Sequence, residues 1–436
     1  MKKLSIEQAW EVLFEKHNII SKIVKNGRFK ITSAEINEVK EARLMAKFDS
    51  SAKLPRVFKE NELSILPTTR GEYIIGHFKT HQSLDYSNVK PIPIRLPSLQ
   101  TLNYTDLYNE ASSLLFAYNS GIISDIFQNY PVNFTISGRM SSGAFDFEID
   151  SSIYSKKKEH ISVVNAQMEI DAGYEAVDAI CLCEAKNIAA EEVLIRQLYY
   201  PYRLWKTKVT KDIIPLFFVY SNDMFHAFIY KFEDPNHYNS LKLVQRKTYI
   251  FMDEKVTFDD VLETWRAARG GKEPNVAFPQ ADSFERILDL LSVLYEKPLM
   301  KDEITLKYEF DSRQTDYYIT ACEYLGFVEK GYNDEGDRLY SLSEHGKAMM
   351  GMRHHAKYIE IIRSILKNPV FYQVFGAYIL SCKMPTKEEI CSIMSKSSLN
   401  ISDATIERRA STVRSWIDWI IKNIEFQNKF DSYNLI

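Results

Sequence analysis

The chain has 436 residues, of which 45% are hydrophobic and 26% charged, with a formal net charge of −3. That length holds two to four domains with proper cores, and the composition excludes a disordered or fibrous chain. A net charge so near zero excludes binding of a polyanion by bulk charge, so any such site must come from local clustering. Five cysteines, an odd number without zinc-ligand spacing, fit free thiols in a reducing compartment.

Two stretches are locally basic. Residues 27–59 hold eight Lys and Arg against four Asp and Glu, and residues 186–211 hold six against two. Each is read either as a face that tracks phosphates or as an ordinary solvated helix face.

The opening residues, MKKLSIEQAWEVLFEKHNII, carry acidic groups inside an apolar period of helical type. They predict an amphipathic helix and not a signal peptide. No run approaches the roughly 18 apolar residues of a membrane span, so a cytoplasmic protein is expected. Residues 1–60 read as mostly helical. Residues 64–76, SILPTTRGEYIIG, combine turn signals with a β-rich run, and residues 1–120 form an N-terminal region with a small β part. Its Arg43, Lys47, Arg56 and Arg70 make it one candidate for DNA recognition.

The stretches FTISGRM (134–140) and AFDFEID (144–150) flank Ser-Ser-Gly and predict a hairpin. Two further strands follow in QMEIDAGYEAVDAICLCEAKN (167–187), with their turn near Glu175–Asp178. Cys181 and Cys183 share one face of the second and read as small core residues. Residues 189–206, AAEEVLIRQLYYPYRLWK, have helical spacing, with Pro201 a candidate kink or end. IIPLFFVYSND and FHAFIYKFED are two more strands joined at Ser221–Met224. The order strand, strand, helix, strand, strand predicts a mixed sheet flanked by helices over residues 121–270.

Residues 270–282 concentrate Gly, Pro and polar groups and mark a domain boundary. Beyond it, residues 281–352 predict three helices and a hairpin, the pattern of a winged helix. The first helix carries the stripe Phe284, Ile287, Leu288, Leu291 and Leu294. The second is 301–308. The third starts at Asp311 with Gln314 as its capping-box partner. Tyr318, Ala321, Cys322 and Leu325 face inward, and Arg313, Gln314, Tyr317 and Thr320 outward. Arg and Gln at the start of such a helix are the types that reach guanine and adenine. Residues 356–436 repeat the theme with three helices, the last at 404–423 lined by Val413, Ile417 and Ile420. His354–His355 reads as a surface pair, because neighbours on a helix point about 100° apart.

The chemistry concentrates at 167–187. Strand alternation puts Glu169 and Asp171 on one face, and Glu184 and Lys186 on one face of the next strand. Unpaired buried carboxylates are costly. Lys186 is one cation to sit among them, and a divalent ion such as Mg²⁺, held by Asp171 and Glu184 with waters completing its shell, is a better one. Such an ion activates water and neutralises charge on a phosphate, while Lys186 offsets charge in the transition state. A phosphodiester would then yield a 5′-phosphate and a 3′-hydroxyl. The E-x-K pair ends a β-type apolar run, a matching acid ends the run before it, and a basic amphipathic helix follows.

The spacing D-x12-E-A-K resembles the motif of the PD-(D/E)XK nucleases. The longer string QMEIDAGYE…EAKN…IRQLYYPYR is similar to a group of type II restriction endonucleases. PQADSFERILDLL…DSRQTDYYITACEYLGFVE is similar to the tail region of the same group, so the likeness covers roughly residues 25–345. The resemblance implies Asp171 as first metal ligand, Glu184 as second and Lys186 as the lysine. Ile170 stands where the motif has its leading proline. Glu169 is either an extra ligand or a group at the opening of the site. Arg196 and Gln197 either order the site, touch the DNA backbone or lie on the surface. Lys206, Lys208 and Lys211 are expected to position phosphates.

The activity so implied is Mg-dependent, site-specific cleavage of double-stranded DNA by a two-fold dimer, as in phage defence alongside a cognate DNA methyltransferase. The alternatives are a repair or junction-resolving nuclease, or an inactive winged-helix regulator that only binds DNA.

Overall fold

The computed structural model describes residues 4–86, 89–102, 107, 109–251, 256–307, 312–333, 335–397, 399 and 401–431. Four hydrophobic clusters organise it: one in the N-terminal unit, one on each face of a central sheet, and one in the C-terminal region.

The N-terminal unit comprises α1 (Ile6–His17), α2 (Ile19–Asn26), β1 (Arg28–Thr32), α3 (Ser33–Asn37), α4 (Ala42–Met45), α5 (Arg56–Glu60), β2 (Ser64–Pro67) and β3 (Glu72–Gly76). A capping box between Ser5 and Gln8 starts α1. The helix buries Trp10, Leu13 and Phe14 against Phe58 and Ile31. Each such fully buried side chain contributes about 1.5–3 kcal/mol. The strand β1 interrupts the mostly helical first sixty residues and pairs with β3, which also pairs with β2.

Next come β4 (His81–Ser83), β5 (Ile92–Ile94), α6 (Glu110–Asn119), α7 (Ile122–Ile126), β6 (Asn133–Ser141), β7 (Ala144–Asp150), β8 (Lys158–Val164), β9 (Gln167–Glu175) and β10 (Ala179–Lys186). They are followed by β11 (Glu192–Leu194), α8 (Ile195–Lys206), β12 (Asp212–Ser221), β13 (Met224–Phe232) and β14 (Leu241–Phe251). Seven strands form one mixed sheet in the order β5-β14-β13-β12-β10-β9-β6. The pairs β10–β12 and β14–β5 are parallel and the others antiparallel.

The expected order strand, strand, helix, strand, strand is present as β9, β10, α8, β12 and β13, but the helix expected over 189–206 starts only at Ile195, because Glu192–Leu194 form β11 and pair with β4. The parallel β10–β12 pair requires the crossover that α8 supplies. Pro201 does not end α8, which runs through it.

β10 is apolar at nearly every position because both faces are covered. Ile180 and Leu182 pack with α8, whereas Cys181, Cys183 and Ala185 pack with α6 and α7. Beside Leu182, Gly173 of β9 has no room for a side chain, since a Cβ there would lie 2.6 Å from that of Ile136. The β12–β13 turn has Asn222 and Asp223 both at positive φ, the two-residue hairpin geometry.

The hairpin expected of 134–140 and 144–150 does not form. β6 pairs with β9 as an edge of the large sheet, and β7 pairs with β8 in a separate two-stranded sheet. Ser142 and Gly143 divert the chain there. The Ser142 N–H donates to Ala166 O, Gly143 O accepts from Asn165, and Gly143 adopts a φ of 70°. Two-residue spacing mimics a hairpin loop, but these bonds are made to the chain that enters β9.

The C-terminal region contains α9 (Phe258–Ala268), α10 (Phe284–Glu296), β15 (Leu299–Met300), α11 (Lys301–Lys307), α12 (Ser312–Tyr324), β16 (Val328–Tyr332) and β17 (Arg338–Leu342). It continues with α13 (Glu344–Met350), α14 (His354–Leu366), α15 (Pro369–Ser381), α16 (Lys387–Lys396) and α17 (Asp403–Asp431). β15, β17 and β16 make a three-stranded sheet beside α10, α11 and α12. Tyr318, Ala321, Cys322 and Leu325 are buried, as their spacing predicts. Asp311, the expected cap of α12, lies outside the described residues. Trp416 stacks on Phe371 and donates its indole N–H to Ala281 O at 2.8 Å, so the last helix shares one core with α10.

His354 is not a surface residue. It is buried and bonds Asp223 through Nδ1 at 2.9 Å, whereas His355 is more exposed and lies 3.3 Å from Asp260. Lys357 reaches the same Asp223 at 3.1 Å. This buried ionic group ties the β12–β13 turn to α14. Among the described residues no helix is long and apolar enough to cross a membrane.

Candidate functional site

The β9–β10 ladder runs as far as Cys183 opposite Ala172. Continued by one pair, that register sets Asp171 opposite Glu184. Instead of a further ladder bond, the Ala185 N–H donates to Asp171 Oδ2 at 2.8 Å. The bond fixes the carboxylate where β9 leaves β10. Glu184 and Lys186 follow Ile180 and Leu182 in phase and therefore rise on the α8 side. They stand at the C-terminal ends of the parallel β10 and β12, the edge at which open α/β sheets bind ligands.

Lys186 Nζ lies 2.6 Å from Glu184 Oε1, 3.9 Å from Asp49 Oδ2 and 4.0 Å from Glu110 Oε1. The side-chain amide of Gln197, from the first turn of α8, also donates to Glu184 Oε1. Three carboxylates thus crowd around one ammonium. Burial holds the Glu184 carboxyl above its usual range, against the attraction of Lys186. Burial likewise raises Asp171, although the Ala185 N–H opposes it, and raises Glu110. Burial disfavours the Lys186 ammonium, but Glu184, Asp49 and Glu110 outweigh it and keep the group firmly charged. Asp49 stays ionised for the converse reason: Lys186, then Lys47 and Lys53, outweigh its burial.

This donor set is oxygen-only and over-supplied with negative charge, which suits a hard divalent cation. Asp49 Oδ1 is buried and accepts no hydrogen bond among the described residues. Also among the described residues, no three His, Cys, Asp or Glu side chains are drawn together as a ready-made metal cage. Asp171 and Glu184 are the residues that could hold such an ion, with waters completing its shell.

Other sequence-selected residues lie elsewhere. Glu169 is exposed and paired with Arg139 of β6 at 3.3 Å. Arg196 is half-buried with its guanidinium 5.9 Å from the Tyr200 ring centre. Lys206 and Lys208 lie at the far end of α8, Lys208 over the Trp205 ring. Lys211 bonds Glu175 and Ala176 O at the β9–β10 turn. That turn is roughly 20 Å from Lys186, at about 3.3 Å per strand residue. Arg43 is exposed and paired with Glu41 at 3.4 Å. Arg313 and Gln314 are exposed on the first turn of α12, and Tyr317 is half-buried one turn on.

Sequence reasoning missed Asp49 and Glu110. Glu110 stands in the first turn of α6, after the Asn109 cap. An acid at a helix start is ordinarily read as a response to the dipole, so it gave no signal. Asp49 sits between Phe48 and Ser50 in an irregular segment with no motif.

Three family models match the chain in succession. One domain of unknown function (DUF6996) covers residues 7–75, a second (DUF6997) covers 76–250 and a third (DUF7226) covers 286–425. The first ends with β3. The second contains Glu110, Asp171, Glu184 and Lys186, while Asp49 falls in the first. No curated protein and no solved structure matches the chain significantly.

Proposed function

We propose that the protein is a magnesium-dependent, sequence-specific endonuclease of double-stranded DNA, of the type II restriction class and with a PD-(D/E)XK core. The observation that carries this reading is the meeting of Asp171, Glu184 and Lys186 at the end of β10, next to the crossover helix α8. Asp171 and Glu184 would hold a divalent ion, which would supply Lewis acidity toward a phosphoryl oxygen. The chain's own groups do the rest. The Ala185 N–H holds Asp171, and Gln197 and Lys186 hold Glu184. The Lys186 ammonium is a fixed positive charge beside the reacting phosphate and offsets the charge that builds there. Its compact head does this without taking a ligand position.

The helices α10–α12 with the β15–β17 sheet support a winged-helix reading, in which Arg313 and Gln314 enter the major groove. Cutting both strands of a palindrome calls for a two-fold dimer, and a cognate methyltransferase would protect host DNA. Incubating the protein with plasmid DNA and Mg²⁺ tests the proposal. Discrete fragments with 5′-phosphate ends are expected. Intact DNA with either Mg²⁺ or Mn²⁺ would overturn it.

A further inference from the structure

We propose that Asp49, carried by the N-terminal unit, is a positioning residue for the Lys186 ammonium, so that the reaction centre is assembled from two units of the chain and not from the sheet alone. The inference rests on the nuclease reading above for its functional meaning, and on geometry for the contact itself.

A lysine head hangs on four rotatable bonds, and its backbone does not fix where it sits. Lys186 nevertheless meets carboxylates from three separate elements: Glu184 on its own strand, Glu110 on α6, and Asp49 on the segment after α4. Glu184 is also the group expected to bind a cation. An ammonium held by Glu184 alone would move whenever that carboxylate engages an ion. Asp49 and Glu110 remain as its restraints.

The segment that carries Asp49 is clamped on both sides. On one flank the Trp10 indole N–H donates to Met45 O at 2.8 Å, within the N-terminal unit. On the other, the chain is tied to the sheet domain. His81 Nε2 meets Phe48 O at 3.3 Å, Ser50 Oγ donates to Glu192 Oε1 at 3.0 Å, and the Ser51 N–H donates to the same carboxylate. His81 and Glu192 stand on the paired strands β4 and β11. Asp49 is thus presented to Lys186 from a rigid support, with only 12% of its side chain exposed.

An aspartate in an irregular segment usually accepts hydrogen bonds from nearby backbone N–H groups. Asp49 does not, as its buried Oδ1 has no hydrogen-bond partner among the described residues. Its role in the turn is therefore not local capping, and its one ionic contact at salt-bridge distance among the described residues is Lys186 at 3.9 Å.

The test compares wild-type protein with Asp49→Asn, Asp49→Glu and Glu192→Gln in the full chain. With Mg²⁺ and a cleavable duplex, Asp49→Asn should lower kcat by about 10- to 100-fold, the usual cost of losing a supporting contact. KM and the melting temperature should stay unchanged. Asp49→Glu should recover part of the loss, and Glu192→Gln, which loosens the support without touching Asp49, should show a smaller one.

A second readout needs no cleavage. In protein labelled with ¹⁵N-lysine, the Lys186 ammonium resonance, identified by its loss in Lys186→Met, should shift or broaden in Asp49→Asn. An unchanged kcat together with an unchanged resonance overturns the inference. If the wild type cuts no duplex, the nuclease reading fails, and the resonance alone then decides whether Asp49 holds the ammonium.

Discussion

Lys186 Nζ and Glu184 Oε1 stand 2.6 Å apart at the end of β10, two residues apart on one face of a strand whose other positions are filled with apolar side chains. A strand end buried on both faces is a costly place for two charges unless they compensate one another and a third party.

Removing either charge should therefore separate binding from chemistry. Glu184→Gln and Lys186→Met are expected to reduce DNA cleavage by about 10²–10³-fold or more. Both should still shift a duplex in a Mg²⁺-free gel assay. Loss of binding in step with cleavage would instead assign these residues a structural role.

Sequence reading should reside on α12. Arg313→Ala and Gln314→Ala are expected to weaken binding to the cognate site by about 1–3 kcal/mol each and to relax preference at one base position. Binding to random duplex should change little. Competition binding with single-base variants of the site measures this, and a uniform loss across sequences would assign the two side chains to the phosphate backbone.

The junction between the sheet and the C-terminal helices should depend on pH. Asp289 of α10 is fully buried there. It accepts from the Ala189 N–H and the Ser221 hydroxyl, each at 2.8 Å. Burial lifts its carboxyl from 3.8 to about 7, against those two hydrogen bonds. Within that window the folded chain binds the proton and the unfolded chain does not. Stability from this group is thus complete below about 4 and declines as pH rises towards 7, by about 1.4 kcal/mol per unit. Denaturation curves from pH 5 to 8 should fall more steeply for wild type than for Asp289→Asn, and parallel curves would refute the assignment.

Asp223 provides the opposite case. Burial opposes its charge, but Lys357 and then His354 hold its carboxyl well below the usual range. Lys357→Met should cost about 3 kcal/mol in urea denaturation at neutral pH, because it strands a buried carboxylate. Adding Asp223→Asn should restore part of that loss. A cost below about 1 kcal/mol would mean that His354 alone satisfies the aspartate.

Several of these elements were legible in the sequence because their signals are local. The run AICLC could only be a strand covered on both sides, and α8 announced itself by the spacing of Ile195, Leu198 and Tyr199. The inward face of α12 followed from Tyr318, Ala321, Cys322 and Leu325. The separation of β6 from β7 was not legible, because a short link such as Ser-Ser-Gly between alternating runs has the same appearance whichever strand each run later pairs with. His354 looked exposed because adjacent residues on a helix point about 100° apart, and its burial depends on Asp223, 131 residues earlier.

By itself the sequence determined the two strands that carry Asp171, Glu184 and Lys186 and the helix that follows them, since hydrophobic period and short-range spacing are properties of neighbours along the chain. Only the tertiary structure decided which charges surround Lys186. Asp49 and Glu110 reach it from segments 137 and 76 positions away in the chain. Such meetings are set by how whole layers pack, through bonds such as Ser50 to Glu192, and a linear pattern holds no record of them.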